Sequence, residues 1–134
     1  MQKFDNYTAN LSVLQKAGDE DLNNEFIISG IIDKFYIQFE LGWKVLKELL
    51  RYEGRAEANS GSPREIIKLA FAVYDFIDEE VWLAMLRERN GTTHIYDARA
   101  ARELVRHVLE SYIPAFISLQ NNIVDRYGTI LAEL

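Results

Sequence analysis

The stretch from Asn23 to Glu53 constrains the fold most, because its apolar side chains recur at helical spacing around most of the circumference. Steps of three and four residues mark one face of a helix. A helix with so wide an apolar surface needs covering from several sides, by other helices or by a second subunit. Its three stripes are Ile28, Ile32, Phe35, Phe39, Leu46 and Leu49; Ile27, Ile31, Leu41 and Val45; and Tyr36, Trp43 and Leu50.

Start and stop signals divide the chain into helices. Asp21 is the predicted N-cap of the long helix, and Gly54 closes it at the position where helices tolerate a left-handed residue. The run Ser62-Pro63-Arg64-Glu65 has the pattern of a capping box with proline at the first helical position. Asp78 and Asp97 are the predicted N-caps of two later helices.

The C-terminal part, from Asp97 onwards, predicts a second long helix with doubled apolar stripes and a kink at Pro114. A weaker helix is predicted from Phe4 to Lys16, and no segment alternates at the period of a strand. The sequence therefore predicts an all-α fold, an antiparallel up-and-down bundle of four to five helices that forms a single domain over residues 1–134. The surplus of apolar surface predicts a homodimer.

Charge and composition narrow the possible environments and partners. The net charge of −6 argues against broad, non-specific binding to nucleic acid. No apolar run is long enough to predict a membrane span, and the N-terminus lacks the pattern of a signal peptide. Cysteine is absent, which excludes disulfides and thiolate metal sites. We therefore expect a cytoplasmic protein with no membrane partner and no bound metal.

The motifs of nucleotide-binding enzymes are missing. The sequence contains neither of the glycine-rich phosphate-binding loops. It also lacks a Gly-Ser pair followed by paired aspartates, which a nucleotidyltransferase needs to hold its metal ions. We expect this chain not to transfer nucleotides by itself and to hold no cofactor.

The segment from Arg89 to Tyr96 contains the side chains that are best suited to binding and catalysis. Arg89 can hold a phosphate with two hydrogen bonds, and His94 can move a proton near neutral pH. With Asn90 and Tyr96, these side chains lie within eight residues at a predicted break between helices. They could cleave a phosphodiester without a metal. The structural alternative is that Arg89 and Asn90 cap the preceding helix while His94 and Tyr96 fill a helix junction.

Two further groups are candidates for binding a substrate. Arg99, Arg102 and Arg106 share one helical face, either as an anion groove leading to His94 or as a solvated face paired with Glu103. They belong to a window of five arginines, Arg87 to Arg106, that carries a net charge of +2 against its three acidic residues. Glu40 forms either a surface ion pair with Lys44, four residues on, or a base in a cleft that acts on a substrate hydroxyl.

Three segments together resemble the nucleotidyltransferase substrate-binding protein family. They are Phe35 to Lys47 (FYIQFELGWKVLK), Ser62 to Phe71, and Trp82 to Asp97, and they occur in the order found in the family. The resemblance implies a dimeric helical bundle that works with a separately encoded minimal nucleotidyltransferase. That partner would supply the carboxylates that bind metal ions, and ATP and magnesium are expected there. The substrate role of Glu40 follows only from the analogy to antibiotic nucleotidyltransferases.

Arg89, Asn90, His94 and Tyr96 also match the signature of the HEPN group position for position. HEPN toxins are metal-independent ribonucleases, and in some toxin–antitoxin pairs a nucleotidyltransferase silences the toxin by adding AMP to the tyrosine. The resemblance therefore implies two functions. One is a binding subunit of a nucleotidyltransferase; the alternative is an endoribonuclease that acts on RNA through Arg89 and His94 and is inactivated at Tyr96.

Overall fold

The computed structural model describes residues 1–134, and it contains α-helices and no strands. The predicted all-α class is confirmed. No helix combines the length and the apolar character that crossing a membrane requires. A π-helical turn, Val108–Tyr112, joins the last two α-helices, and short 3₁₀ turns cover Ala17–Asp19, Ala56–Asn59 and Leu131–Glu133. The α-helices are α1 (Gln2–Leu14), α2 (Glu25–Tyr52), α3 (Pro63–Val73), α4 (Glu79–Asn90), α5 (Thr93–Tyr96), α6 (Ala98–His107) and α7 (Ile113–Tyr127).

Polar contacts fix α1 against α2 in opposite directions. Lys3, near the start of α1, pairs with Glu48 near the end of α2. Asn10, later in α1, donates to the side-chain oxygen of Gln38 at 2.7 Å. Gln38 is fully buried, and its amide nitrogen donates to the backbone carbonyl of Tyr7 at 3.0 Å. Because a buried amide costs stability unless it is hydrogen-bonded, these contacts make Gln38 a fixed link between the two helices.

Helix α4 likewise runs opposite to the C-terminal helix. The ring of Trp82, early in α4, lies 5.6 Å from the ring of Phe116, whereas Glu88, late in α4, meets Tyr112. Trp82 also packs closely on α2, since a Cβ atom built on Gly42 would lie 2.9 Å from its ring. Alternating directions from α1 through α2 and α4 to α7 give an up-and-down bundle, as the sequence predicts. The chain forms seven α-helices, more than the four to five expected, because α5 is a separate single turn and the π-helical turn divides the last helix into α6 and α7.

Most of the predicted helix ends are confirmed. Ser62 and Glu65 form the capping box, and Asp78 and Asp97 cap α4 and α6 through their side chains. Gly54 has a φ of 83°, a left-handed conformation that other residues rarely adopt. The caps were predictable because they depend on residues that are neighbours in the sequence.

The predicted cap of α2 is wrong. Asn24, not Asp21, accepts hydrogen bonds from the amides of Phe26 and Ile27. Asp21 accepts from the amide of Asn23 at 3.0 Å, so it forms a turn just before the helix. Both residue types make good caps, and the start of a helix therefore depends on which of two nearby candidates, here three residues apart, the chain geometry admits.

The distortion expected at Pro114 takes the form of a π-helical turn over Val108–Tyr112. Proline has no amide hydrogen, and within an α-helix its ring crowds the carbonyl four residues earlier, which here belongs to Glu110. A wider turn separates these groups. The helix consequently contains one more residue in this turn than an uninterrupted α-helix would.

Candidate functional site

Glu40 is the centre of a cluster that joins α2 to α4. Its carboxylate forms an ion pair with Arg89, accepts a hydrogen bond from the indole nitrogen of Trp43 at 3.1 Å, and lies 3.7 Å from the Lys44 nitrogen. The predicted pair of Glu40 with Lys44 is thus confirmed. Arg89 also lies over the ring of Phe39, at 5.9 Å from its centroid. Since the ion pair is partly exposed, it positions Arg89 more than it stabilises the fold.

Tyr36 on α2 contacts His94, just as Glu40 on α2 contacts Arg89. The Tyr36 hydroxyl lies 2.5 Å from Nε2 of His94. Tyr36 and Glu40 are four residues apart and so lie on neighbouring positions of one helical face. Burial, with smaller contributions from the charges of Asp33 and Glu88, raises the pKa of Tyr36. The phenol therefore keeps its proton, and α2 presents a neutral hydroxyl to the imidazole.

The residues from Arg89 to Tyr96 form a largely exposed segment, which we call the α4–α5 corner. Arg89 and His94 each contact α2, through Glu40 and Tyr36, and Asn90 accepts a hydrogen bond from its neighbour Arg89 at 3.1 Å. Tyr96 is different: its side chain is 87% exposed and makes no side-chain hydrogen bond within the chain. Ile95 beside it is 62% exposed. The corner thus combines a fixed base with an exposed apolar and phenolic tip.

A cavity of about 330 Å³ opens beside His94, between α4 and α6. Its polar lining comes from Arg87, Glu88, Thr93 and His94. Arg89 is not among the lining residues, because its guanidinium is directed towards Glu40. Arg87 is exposed and has no acidic partner within the chain. The arginine that lines this cavity is therefore Arg87, which the sequence identifies only as a member of the arginine-rich window.

The three arginines of α6 do not line that cavity. Arg106 pairs with Glu103 and, at 2.8 Å, with Glu110, and it lowers the pKa of the Glu103 carboxyl. Arg99 and Arg102 are exposed and form no ion pair. Their placement agrees with a solvated face, of which Arg106 and Glu103 form the expected pair.

A second polar cluster, which the sequence did not reveal, lies where α4 meets the π-helical turn. One oxygen of Glu88 accepts a hydrogen bond from the Tyr112 hydroxyl at 2.7 Å and lies 3.0 Å from Nδ1 of His107. The other ring nitrogen of His107 is 3.3 Å from Glu103. Burial first, and then the bond to Glu88, raises the pKa of Tyr112. These contacts fix the Glu88 carboxylate at the edge of the cavity beside His94.

Tyr36 is a contact of His94 that the sequence does not predict. The apolar pattern places it only in a stripe with Trp43, which is half-buried and donates a hydrogen bond to Glu40. The available signal was its spacing of four residues from Glu40. The structure contains no group of three or more histidine or acidic side chains placed to hold a metal ion.

When the sequence is compared with models of known protein families, one family model matches. A family model described as "Nucleotidyltransferase substrate binding protein like" matches residues 2–125, which include α1 to α6 and nearly all of α7. The match therefore includes both halves of the site, the α2 positions and the α4–α5 corner. No curated protein matches the sequence.

Proposed function

The chain belongs to the nucleotidyltransferase substrate binding protein like family, and we propose that it is the partner subunit of a separately encoded minimal nucleotidyltransferase, acting in the cytoplasm as a homodimer. The observation that carries this proposal is the family match, which extends over almost the whole bundle. In the proposed complex, the partner binds ATP and magnesium, and this chain binds, presents or becomes the group that accepts the nucleotide.

The α4–α5 corner is the surface that we assign to the partner. Its base is rigid, because Tyr36 and Glu40 hold His94 and Arg89 from α2. Its tip is exposed, and an exposed apolar side chain such as Ile95 is more useful in an interface than in water. A rigid base with an exposed tip lowers the ordering cost of binding.

Tyr96 is the acceptor that we propose for a nucleotide. Its hydroxyl oxygen would attack the α-phosphorus of ATP held by the partner, forming a phosphodiester to AMP while pyrophosphate leaves with the bonding electrons. The phenolic proton passes to solvent or to a base of the partner. This reaction needs an accessible hydroxyl, and the exposure of Tyr96 supports it. A protein modified in this way would form one half of a toxin–antitoxin pair.

Intact-mass spectrometry tests the proposal. The purified chain is incubated with the nucleotidyltransferase encoded beside it, ATP and magnesium. We expect a stable complex and an added mass of one AMP, which Tyr96→Phe abolishes. Tyr52→Phe is the matched control, since Tyr52 is also an exposed tyrosine but lies on α2 away from the corner.

Each outcome has a distinct meaning. Failure of the two proteins to associate when co-expressed would refute the partner role. A complex without added AMP would retain the partner role and refute modification at Tyr96, leaving a subunit that presents a third molecule. Added AMP that persists in Tyr96→Phe and disappears in Tyr52→Phe would place the acceptor elsewhere.

The alternative function is a metal-independent ribonuclease that uses Arg89 and His94 on RNA. The cavity beside His94 and the fixed imidazole favour it. The pairing of Arg89 with Glu40 weighs against it, because this arginine must be free to hold a phosphate. The ribonuclease hypothesis predicts growth arrest when the chain is expressed alone and relief by His94→Ala. Harmless expression of the unmodified wild-type chain would exclude it.

A further inference from the structure

The outward stripe of α2 has no partner within the chain. Phe26 is 89% exposed and Ile37 is 46% exposed, although α2 is the helix around which the bundle is packed. These residues and Gly30 lie at steps of four and seven, so they share one face. Val13 on α1, at 49% exposure, lies beside this stripe. An apolar strip along two adjacent helices is the kind of surface that proteins cover.

Two contiguous cavities run along this face, which we call the α1–α2 face. One is about 670 Å³ and lies at the end that contains Ile37 and Leu41. The other is about 250 Å³ and lies at the end that contains Phe26. Val13 and Lys34 line both. The face therefore has the exposed Phe26 side chain beside the smaller cavity at one end and the larger cavity at the other, an arrangement in which Phe26 of one copy can enter the larger cavity of a second copy.

Gly30 gives independent support. A glycine within a helix weakens that helix, and nothing in this chain requires one here, because a Cβ atom built on Gly30 meets no atom within 4 Å. A missing side chain on an exposed face permits the backbone of another helix to approach closely. The glycine thus has a function if a second helix passes along α2 close to this point.

The charges on the face favour a second copy of the chain as its occupant. The protein as a whole carries −6, so two copies repel each other over most of their surfaces. On this face, Lys16 and Lys34 balance Glu20 and Asp33, and none of the four forms an ion pair within the chain. Asp33 and Lys34 are adjacent at the middle of the stripe, where a two-fold axis would pair each with its opposite.

We infer that the α1–α2 face is the surface on which two copies of this chain associate, with their α2 helices crossing in opposite directions near Asp33 and Lys34. In this arrangement, Phe26 of each copy packs against Leu41 at the cavity of the other, and Gly30 lies against Ile37. The inference rests on the homodimer of the proposed function and adds the interface. Tyr36 and Glu40, which hold the α4–α5 corner, line the larger cavity of this face, whereas Ile95 and Tyr96 at the tip of the corner line neither cavity.

Light scattering of the purified chain, with single substitutions, tests the interface. Phe26→Glu is expected to weaken the dimer by about thirtyfold or more, the effect of losing an interface anchor. It should fold normally, because the side chain is exposed and a glutamate in the first turn suits the helix dipole. Phe71→Glu is the matched control: Phe71 is also exposed, but it lies on α3.

Disulfide cross-linking tests the position of the axis. The chain has no cysteine, so a single introduced Asp33→Cys reports on one position only. Two copies of a residue beside a two-fold axis come close enough to form a disulfide, and oxidation should give a covalent dimer. Asp125→Cys, exposed on α7, is the control and should stay monomeric on a denaturing gel.

The outcomes separate the interface from the function. A dimeric wild type that Phe26→Glu dissociates, together with a cross-link at position 33, would support the inference. A dimer that survives Phe26→Glu and forms no cross-link would overturn the interface and leave the homodimer. A monomeric wild type would overturn both, whereas binding and modification by the nucleotidyltransferase are measured separately and would be unaffected.

Discussion

Two polar residues of α2 that are only two positions apart differ in burial and in the helix that they contact. Gln38 faces α1, is fully buried, and has its hydrogen bonds satisfied by Asn10 and Tyr7. Glu40 faces α4, is partly exposed, and forms an ion pair with Arg89. Polar contacts on the inner side fix the fold, and those on the outer side position a corner whose tip has no partner.

This contrast predicts where substitutions act. A buried group that loses its partner costs the full desolvation free energy, whereas an exposed ion pair contributes little to stability. Changes on the side of Gln38 should therefore reduce the free energy of unfolding. Changes on the side of Glu40 should alter the α4–α5 corner and leave that free energy nearly constant.

The largest expected effect is loss of stability at high pH, through tyrosines of the interior. Burial is the main cause that raises the pKa of Tyr7, Tyr74 and Tyr112 above the ordinary value of 10.0. Above pH 10 the unfolded chain loses these protons while the folded chain keeps them, so stability falls as pH rises. We expect about 1 kcal/mol per tyrosine between pH 10 and 11, measured by denaturant titration. Tyr112→Phe should reduce this loss of stability by the contribution of one tyrosine, about 1 kcal/mol. A wild-type stability that does not change between pH 10 and 11 would contradict the prediction.

Gly42→Val should cost about 3 kcal/mol of stability, because the new side chain enters the space of a buried ring. Even its Cβ atom would lie 2.9 Å from Trp82 and 3.3 Å from Tyr7. Ser29→Val, at an exposed position of the same helix, controls for the helix propensity of valine and should cost less than about 1 kcal/mol. Equal losses in the two variants, measured by chemical denaturation, would show that helix propensity and not packing limits this position.

Gln38→Ala and Glu40→Ala compare the two sides directly. We expect Gln38→Ala to cost about 2 kcal/mol, because the Asn10 amide and the Tyr7 carbonyl lose a buried partner. Glu40→Ala should cost less than about 1 kcal/mol. The midpoints of denaturant unfolding measure both changes. A larger loss of stability in Glu40→Ala than in Gln38→Ala would contradict the conclusion that the contacts of Gln38 stabilise the fold and those of Glu40 do not.

Tyr36→Phe should have the smallest effect on stability, within about 1 kcal/mol. It removes the hydroxyl that lies 2.5 Å from His94 and leaves the ring in place. The expected result is a change in the NMR signals of the His94 imidazole nitrogens, while the signals of His107 stay constant. Tyr52→Phe is the control, and unchanged His94 signals in Tyr36→Phe would show that Tyr36 does not orient the imidazole.

The sequence was most informative where neighbouring residues decide the structure. The capping box at Ser62, the caps at Asp78 and Asp97, and the left-handed Gly54 follow from local hydrogen bonds and backbone sterics. The apolar spacing similarly predicted the bundle. Asp21 shows the limit of this approach, because Asn24 competes for the same role three residues later.

The candidate site was only partly predictable, because its main contacts join residues far apart in the chain. The Glu40–Lys44 pair follows from helical spacing, but the contact of Glu40 with Arg89 depends on how α2 and α4 cross. The same applies to Tyr36 with His94, and to Glu88 with Tyr112. The sequence identified Arg89 and His94 as chemically interesting, and the fold supplied the residues that hold them.

The π-helical turn before Pro114 determines the directions in which the side chains before the turn and those after it point relative to each other. His107 and Tyr112 are five residues apart, a separation that points side chains in different directions on an α-helix. Across a turn whose hydrogen bonds span five residues, they come to the same side, and both contact one oxygen of Glu88. The extra residue therefore acts as a rotational offset between α6, which contacts α2, and α7, whose Phe116 packs on Trp82 of α4. Deleting one residue here would rotate the helix before the turn by roughly 100° relative to the helix after it, so a change in chain length, without any change in composition, would separate His107 from Glu88.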